Sequence, residues 1–367
     1  MINSNKSNHF ILFDCCKLVK GYNRSVICDL QREEFCLIPN IVYDIITEYN
    51  GKSLSEVYDF YLDNHDFLDN CFKFLSDNEF IFYQDKEFVS QFPNVDLKYE
   101  TQNLLENFII DVDDNSNHNY NYIFDSLSKY LLKVLQIRFF CSVNAVFLNN
   151  IMDKINKTDI RTVELILPEN ENISVEDWTN LAGKNTKIIR IYIFSSKTEN
   201  VVYEKQATII FTKENVFSQN DCGKISENLF SCNKKLFSES LYYNSCLNKK
   251  ASIDVNGFLR NCPNMNNNYG KFDASLFEKI IKSNDFQTYW NINKDKIDVC
   301  KDCEFRYMCT DCRAFIKDTE NIYSQPAKCR YNPYISLWQG DIGYIPVEDC
   351  GTYKKESGFV FDKEKIQ

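Results

Sequence analysis

The stretches CLNKKASIDVNGFLRNC (residues 246–262) and CKDCEFRYMCTDC (residues 300–312) carry six cysteines, and Cys329 closes the group. Together these positions hold seven of the sixteen cysteines in the chain. The second stretch contains two CxxC pairs, a spacing that lets neighbouring thiols bind one metal centre or two. Thiols this dense and this regularly spaced predict a metal site, and the other parts of the chain are interpreted around it.

Composition excludes several classes of protein. The 367 residues suffice for two or three domains, and the 44% hydrophobic content allows packed cores. A net charge of −10 without a basic stripe argues against a nucleic-acid partner. We expect no membrane span, because no run of roughly eighteen apolar residues occurs. The N-terminus MINSNKSNHF lacks the apolar core of a signal peptide, which predicts a cytoplasmic protein with metal-bound or buried thiols rather than disulfides.

Residues 1–85 form the first predicted domain, a small sheet followed by helices. Runs rich in β-branched and aromatic residues predict three short strands, and apolar residues at helical spacing follow Pro39. Ser53-x-x-Glu56 is a capping box that opens the second helix. The predicted strands are Phe10–Asp14, Val26–Leu30, Phe35–Ile38 and, after the third helix, Phe80–Tyr83.

This order of elements resembles the PqqD-like domain, a winged-helix module that recognises peptides. The resemblance implies that the leader of a precursor peptide binds as an added strand beside Phe35–Ile38 and against the third helix, Asp66–Leu75. The peptide-binding residues would be Phe35, Leu37, Leu68 and Phe72. The alternative is a small α+β domain that only packs against its neighbour.

Strand-like runs alternate with helical patterns between residues 103 and 215. Nearly continuous apolar strands separated by helices predict parallel β/α units, and five strands predict a partial barrel or an open sheet. The predicted strands are Phe108–Val112, Val134–Phe139, Val163–Leu167, Ile188–Phe194 and Thr208–Phe211, and the helices are Tyr120–Leu132, Val143–Ile155 and Val175–Leu181.

The loop after the first of these strands reads DDNSN, residues 113–117. The β/α segment resembles the barrel of radical SAM enzymes, in which this loop carries CxxxCxxC and its thiolates hold the cluster that binds S-adenosylmethionine. No CxxxCxxC occurs in this chain. We therefore expect a degenerate radical-SAM-like domain without S-adenosylmethionine, since that cluster needs the three thiolates. Asp113 and Asp114 are interpreted as a solvated turn, the alternative being a general acid–base pair or a Mg²⁺ site.

Residues 235–345 form the third predicted domain. Ala251–Asp254 and Phe258–Asn261 predict two strands joined by a turn at Asn256-Gly257. A hairpin of this kind brings Cys246 and Cys262 close together at its open end, which is good geometry for two ligands of one metal centre.

All seven cysteines follow an order that resembles the SPASM domain of peptide-modifying radical SAM enzymes. The pattern is Cys246-x10-Gly257-x4-Cys262, then Cys300-x2-Cys303-x5-Cys309-x2-Cys312, then Cys329. One departure is the last close pair, which has two intervening residues where the family usually has three. The contexts NSCLNKKASIDVNGFLRNCPNM and CRYNPY are similar to the SPASM maturases of grasp-with-spasm systems, whose partner is an ATP-grasp peptide ligase. This resemblance covers essentially the whole chain.

The SPASM resemblance implies two [4Fe–4S] sites. The first, here named the Cys303 site, comprises Cys300, Cys303, Cys309 and Cys329; the second, the Cys262 site, comprises Cys246, Cys262 and Cys312. The Cys262 site lacks an evident fourth thiolate, because the nearest candidates, Cys222 and Cys232, have the wrong spacing for the family. It is therefore open, takes an exogenous ligand or is lost. Zinc bound by four thiolates and free buried cysteines are the alternatives to iron.

These resemblances imply a maturation factor for a ribosomally synthesised peptide. It would bind the leader of the precursor, carry one or two auxiliary [4Fe–4S] clusters and act with an ATP-grasp ligase. Whether it is also an enzyme is left open, and we predict no catalytic residues. The alternatives are an active iron–sulfur peptide-modifying enzyme of the radical SAM type and a structural zinc scaffold. Residues 346–367 are interpreted as a tail.

Overall fold

The structure, a computed structural model, describes residues 8–216, 218–354 and 357–366, without the side chain of residue 219. The expectation that no signal peptide is present concerns the first ten residues, and residues 1–7 lie outside the described part. The fold is mixed α/β and is built around one large, mainly parallel sheet. Within the described residues, no helix combines the length and the apolar character that crossing a bilayer requires.

The N-terminal unit has two small antiparallel sheets and three helices. The first sheet pairs β1 (His9–Leu12) with β5 (Ile81–Gln84). The second has the order β2 (Cys16–Lys20), β3 (Arg24–Asp29) and β4 (Glu34–Pro39). The helices are α1 (Asn40–Tyr49), α2 (Leu54–Phe60) and α3 (His65–Asp77). The predicted capping box is confirmed, because Ser53 and Glu56 exchange side-chain and backbone hydrogen bonds at the start of α2.

The predicted composition of the N-terminal sheet is wrong in one respect. The first predicted strand, Phe10–Asp14, corresponds to β1, which leaves the three-stranded sheet and pairs with β5. Its place is taken by β2, which sequence analysis missed. Only Cys16 and Val19 of β2 are buried, so its sequence CKLVK lacks the alternation by which a strand with one buried face is recognised.

The central sheet contains eight strands in the order β10–β11–β9–β8–β7–β6–β12–β13. Its strands are β6 (Asn107–Val112), β7 (Val134–Phe139), β8 (Thr162–Pro168), β9 (Ile188–Phe194), β10 (Asn200–Glu204), β11 (Ala207–Phe211), β12 (Lys250–Ile253) and β13 (Leu259–Arg260). The helices after β6, β7 and β8 are α4 (Tyr120–Ser128), α5 (Ala145–Asn156) and α6 (Val175–Lys184). The predicted parallel β/α arrangement is confirmed, and β10 and β13 add antiparallel edges.

The sheet extends beyond the five strands expected from residues 103–215. Strand β12 pairs in parallel with β6, with Lys250 opposite Asn107 and Ile253 opposite Ile110. The predicted hairpin of the cysteine region is therefore part of the central sheet. This pairing covers the edge of β6, whose backbone groups need partners. The expected boundary between residues 215 and 235 thus does not separate two independent cores.

The two faces of the central sheet differ in chemistry. Alternate residues, such as Phe108 and Ile110, point into a large apolar core that includes helices α4, α5 and α6. The intervening residues form a polar face, on which Asp111 makes a two-pronged ion pair with Arg138 at 2.6 and 2.7 Å. The helices thus cover the apolar face of the sheet, and they leave the polar face free to face the cysteine region.

The remaining elements are short. They are α7 (Lys234–Tyr242), α8 (Ala274–Ile281), α9 (Asn284–Gln287), the hairpin of β14 (Tyr331–Asn332) with β15 (Leu337–Trp338), and the hairpin of β16 (Gly351–Lys354) with β17 (Gly358–Phe361). The interpretation of residues 346–367 as a tail is wrong for the described residues. Phe359 and Cys350 are buried, and Phe361 stacks on Tyr334 with ring centroids 4.4 Å apart, so apolar burial anchors this hairpin.

Candidate metal centres

The Cys303 site is a real spatial cluster. Its four members, Cys300, Cys303, Cys309 and Cys329, line one cavity whose walls include Phe305 and Trp338. The SPASM resemblance grouped these four residues, and the structure places all four around this cavity. Each is buried or half-buried, so thiol ligands here are shielded from bulk water.

The Cys262 site contains a cysteine that the family spacing does not include. Cys246, Cys262 and Cys312 line a cavity of about 280 Å³, and Cys222 lines the same cavity. Burial is the main cause that raises the pKa of each of the three thiols, and the neighbouring Cys222 adds to each rise. Of the two candidates that the sequence offered, Cys222 is thus the one that lies at this cavity, which Cys309 of the Cys303 site also lines.

Cys232, the other candidate, lies elsewhere. It is 4% exposed, and its thiol lies 3.8 Å from the backbone carbonyl of Asp29, to which it donates. Its sulfur also neighbours Cys28, on the opposite side of the N-terminal sheet from the helices. Cys232 thus belongs to the packing between the N-terminal unit and the cysteine region.

Gly223 permits the loop of Cys222 to approach Cys312. Its φ of +80° lies in the left-handed region, and a Cβ at this position would lie 2.9 Å from the Cys312 sulfur. Most side chains are excluded by both the backbone conformation and the space. The sequence signal for Cys222 was therefore weak: a cysteine followed by glycine in a polar loop.

Two buried polar residues fix the loops of the Cys262 site. The side-chain oxygen of Asn244, Oδ1, accepts hydrogen bonds from the backbone N–H groups of Cys246 and Leu247, at 3.0 and 2.9 Å. Its amide donates to Asp311, the residue before Cys312. Asp311 is fully buried and also pairs with Arg313 at 2.8 Å. The segments before β12 and around Cys312 are thereby held to each other.

Backbone N–H groups point at several of the sulfurs. Those of Asn264, Phe305, Ala314 and Tyr331 donate to the sulfurs of the cysteines two positions earlier, Cys262, Cys303, Cys312 and Cys329 respectively. These donors lower the pKa of each thiol, while burial raises it and prevails, to about 12 for Cys262 and about 11 for Cys312. Such donors stabilise negative charge on sulfur, so the cavities suit thiolates neutralised by a metal.

Each site also contains a lysine close to a sulfur. Lys294 Nζ lies 2.9 Å from Cys309 Sγ, and Lys250 Nζ lies 3.6 Å from Cys246 Sγ. Both ammonium groups are positioned to donate a hydrogen bond to a thiolate. The chemistry of the donors is thus the same at the two sites: four thiols, backbone N–H groups and one cation.

Val299, the residue before Cys300, has a strained backbone. Its φ is +67°, although it is β-branched and only 1% exposed. A β-branched residue in the left-handed region is an outlier, and such strain persists only where the surrounding structure imposes it. Here the conformation turns the chain into the Cys300–Cys303 turn, whose two sulfurs line the Cys303 site.

The distances between sulfurs bear on the kind of metal. Among the described residues, no three members of either site have sulfurs all within 4.8 Å of one another. A tetrahedral zinc with Zn–S bonds of about 2.3 Å would hold its thiolates about 3.8 Å apart. In a [4Fe–4S] cluster each thiolate binds a different iron, which keeps the sulfurs farther apart. In the described structure, no three thiols of either site are therefore as close together as the ligands of one zinc ion.

A third group of ligand types, Cys15, Cys16 and Asp29, does meet that distance. Its carboxylate is already used, however: Asp29 accepts backbone hydrogen bonds from Gln31 and Arg32 and faces the Arg32 guanidinium at 3.4 Å. A neighbouring arginine opposes a bound cation. We interpret these residues as part of the packing of the N-terminal sheet.

The predicted peptide-binding residues do not line a groove between β4 and α3. Leu68 and Phe72 are 0% and 2% exposed, in the core beneath the helices. Phe35 and Leu37 pack against the cysteine region, with the Phe35 ring 5.9 Å from that of Phe305. Because strand side chains alternate, it is the intervening Cys36 that faces the helices.

The loop after β6 forms a hydrogen-bonded turn. The Asp113 carboxylate accepts from the backbone N–H of Asn115 and the hydroxyl of Ser116. Asp114 is exposed. This arrangement agrees with the interpretation as a solvated turn, because the Asp113 carboxylate is occupied by its own loop.

No protein-family model and no curated protein matches the chain. Among solved structures it is similar to the crystal structure of Streptococcus suis SuiB bound to S-adenosylmethionine, with 9% sequence identity and a TM-score of 0.27. A second crystal structure of Streptococcus suis SuiB gives 8% identity and a TM-score of 0.24. Both alignments cover 83% of this chain and 96% of the other. The structural similarity is weak.

Proposed function

We propose that this protein is an iron–sulfur maturation factor for a ribosomally synthesised peptide. It binds the leader of the precursor through its N-terminal unit, carries a [4Fe–4S] cluster at each of the two cysteine sites, and acts with an ATP-grasp peptide ligase. The leader and the ligase enter through the resemblance of the sequence to PqqD-like domains and to the maturases of grasp-with-spasm systems.

The observation that carries the iron–sulfur part is the arrangement of eight cysteines around two cavities. Four cysteines line the first cavity, and the other four line the second together with Cys309. Among the described residues, no three of these sulfurs lie within 4.8 Å of one another, which supports a cluster over a single zinc ion. When bound, such clusters supply one-electron transfer and cross-link the loops that hold them. Thiol ligands, backbone N–H donors and a lysine at each site are the features that a dianionic cluster requires.

Cys222 bears on whether the protein only binds and positions the peptide or is an active enzyme of the radical SAM type. As the fourth ligand it closes the coordination of the Cys262 site, and no iron then remains open for a substrate or for S-adenosylmethionine. The Asp113 turn likewise contains no sulfur. We therefore favour a role in binding and positioning over an active enzyme of the radical SAM type.

The peptide would bind at the free edge of β4. In the described part of the chain no strand pairs with that edge, and an added strand would satisfy its backbone groups. On α3 the exposed apolar side chains are Phe67 and Phe74, 38% and 37% exposed, and we propose these in place of Leu68 and Phe72. The sheet itself is fixed to the cysteine region, where Arg24 pairs with Glu304 at 2.7 Å. A bound leader would thus be held beside the Cys303 site.

Metal analysis tests the iron–sulfur part directly. Protein purified without oxygen should be brown and contain about eight iron and eight sulfide ions per chain, as expected for two four-iron clusters. Cys303→Ser should remove one cluster and leave the other. Colourless protein loaded with zinc would refute the proposal, and so would a Cys303→Ser variant with full iron content.

Fluorescence anisotropy tests the peptide part. The probes are labelled synthetic leader peptides of candidate precursors. Phe67→Ala combined with Phe74→Ala should weaken binding at least about tenfold, since two apolar contacts are lost. Phe88→Ala is the matched control, because Phe88 is also 38% exposed but lies outside the β4–α3 region. Equal loss in the control, or no binding of any leader, would contradict the proposed groove.

Two further experiments test the partnership with the ligase and the alternative of an active radical enzyme. Co-purification with the ATP-grasp ligase should succeed, and failure in the presence of precursor would remove the ligase from the proposal. Release of 5′-deoxyadenosine from S-adenosylmethionine by reconstituted protein would instead establish the radical enzyme.

A further inference from the structure

Lys294 is a buried cation without a carboxylate partner. Its side chain is 5% exposed, and in the described part of the chain no aspartate or glutamate forms an ion pair with it. Asp311, a buried acid whose charge acts on Lys294, is already paired with Arg313 and Asn244. The atom that Lys294 Nζ does contact is Cys309 Sγ, at 2.9 Å. A buried ammonium is strongly unfavourable unless negative charge faces it, so this lysine indicates an anionic sulfur site.

Lys250 repeats this arrangement at the Cys262 site. It begins β12, and its Nζ lies 3.6 Å from Cys246 Sγ. On its other side it borders a small polar cavity with Glu164, but that carboxylate is taken by Gln136 and Arg190. No ion pair between Lys250 and a carboxylate occurs among the described residues. The two lysines come from unrelated elements, yet each donates to one sulfur of a different site.

We propose that Lys250 and Lys294 are positioning residues that set the reduction potentials of the two clusters, an inference that depends on the proposed iron–sulfur function. A [4Fe–4S] cluster with four thiolates has a charge of about −2 and gains a further negative charge when one electron is added. A cation and an N–H···S bond stabilise the reduced, more negative cluster more strongly than the oxidised cluster. Each lysine therefore raises the potential of its own cluster and leaves the other almost unaffected.

Potentiometric titration with dithionite, followed by electron paramagnetic resonance, measures this effect. Lys294→Met should lower the midpoint of one cluster, so that at a fixed potential the ratio of reduced to oxidised cluster falls about tenfold, equivalent to about 59 mV for a one-electron couple. Lys250→Met should lower the midpoint of the other cluster, by less, because its contact is longer. Lys294→Arg should keep most of the wild-type potential, since it retains the charge and the donor.

Lys296→Met is the matched control, because Lys296 lies on the same turn but is exposed, and its ammonium donates to the Asn291 carbonyl rather than to a sulfur. The reduction midpoints of both clusters in Lys296→Met should equal those in the wild-type protein. If Lys294→Met loses iron, Lys294→Gln, which keeps an N–H donor without the charge, takes its place and should still show a lowered midpoint.

The outcomes separate the two proposals. Full iron content with unmoved midpoints in the Met and Gln variants overturns the role of the lysines and leaves the iron–sulfur function intact. A shift of both midpoints in each variant also overturns it, because the effect would then not be local. Absence of iron from the wild-type protein overturns both.

Discussion

The side-chain amide of Asn244 donates a hydrogen bond to Asp311 Oδ2 at 2.5 Å, and both residues are 0% exposed. This bond joins the segment before Cys246 to the segment before Cys312, although 67 positions separate the two residues in the chain. Asn244 also accepts the backbone N–H of Cys246. The mutual position of two proposed ligands of the Cys262 site therefore depends on one buried amide.

Asn244→Ala should destabilise the protein and empty the Cys262 site. The substitution leaves two backbone donors and one face of the Asp311 carboxylate without partners, at a cost of about 1–3 kcal/mol for each buried group. We expect a clear fall in the urea midpoint and loss of about half of the iron from protein purified without oxygen.

Asn119→Ala is the control for this experiment. Asn119 caps α4, where its side chain accepts from the backbone N–H of Tyr122, and it is exposed and lines neither cysteine cavity. Loss of the cap should cost about 1 kcal/mol and leave iron content unchanged. Full iron in Asn244→Ala would show that the bond to Asp311 does not position the ligands.

Gly223→Ala should also empty the Cys262 site. The added Cβ would meet the Cys312 sulfur at 2.9 Å, so the loop carrying Cys222 must move away. Gly270→Ala carries the same left-handed strain, of about 1–2 kcal/mol, but nothing lies within 4 Å of its new Cβ. Iron analysis should show a lower iron content in Gly223→Ala than in Gly270→Ala. Equal iron in both variants would show that the close approach of residue 223 to Cys312 does not matter for the site.

Cys222→Ser and Cys232→Ser form a matched pair. Both cysteines were candidates for the missing ligand, but only Cys222 lines the cavity of the Cys262 site. We expect Cys222→Ser to lose or degrade one cluster in the visible and paramagnetic spectra, and Cys232→Ser to retain two. The reverse result would mean that Cys232, not Cys222, completes the site.

Cys71 provides a pH dependence of stability that is independent of metal. Burial in the core beneath the helices raises the pKa of its thiol from 9.0 to about 11. The folded state therefore holds the proton more tightly than the unfolded state does. The resulting stabilisation is complete below about pH 9 and is lost as the pH rises to about 11.

Urea unfolding of wild type and Cys71→Ala at pH 8 and pH 11 measures this contribution. The difference in unfolding free energy between the two proteins should shrink at high pH, by at most about 3 kcal/mol for a shift of this size. Other buried thiols titrate in both proteins and cancel in the comparison. A difference that stays constant across the range would show that Cys71 does not titrate as described.

Local patterns predicted the central strands well. The apolar run Val134–Phe139, for example, lies between two segments with helical patterns, so the sequence alone indicates both the strand and the parallel connection. The pairing of Lys250 with Asn107 could not be predicted in the same way. Nothing local to either residue encodes a contact between two segments so far apart in the chain.

The errors at the candidate sites have a similar origin. Phe35 and Leu37 lie on the strand that was predicted, but on its other face, because a strand shows the same alternation whichever face is buried. Cys222 could not be distinguished from Cys232 by sequence, because ligand spacing describes one continuous segment, whereas this residue approaches the site from a separate loop. Its nearness to Cys312 depends on Gly223, whose conformation only the folded chain reveals.

The pairing of β12 with β6 means that the cysteine region cannot be removed as a module. A version of the chain cut before residue 250 would leave the strand Asn107–Val112 with a bare margin, apolar and ready to join other copies into aggregates. Loss of the cysteine region would thus reduce solubility as well as remove both candidate metal centres.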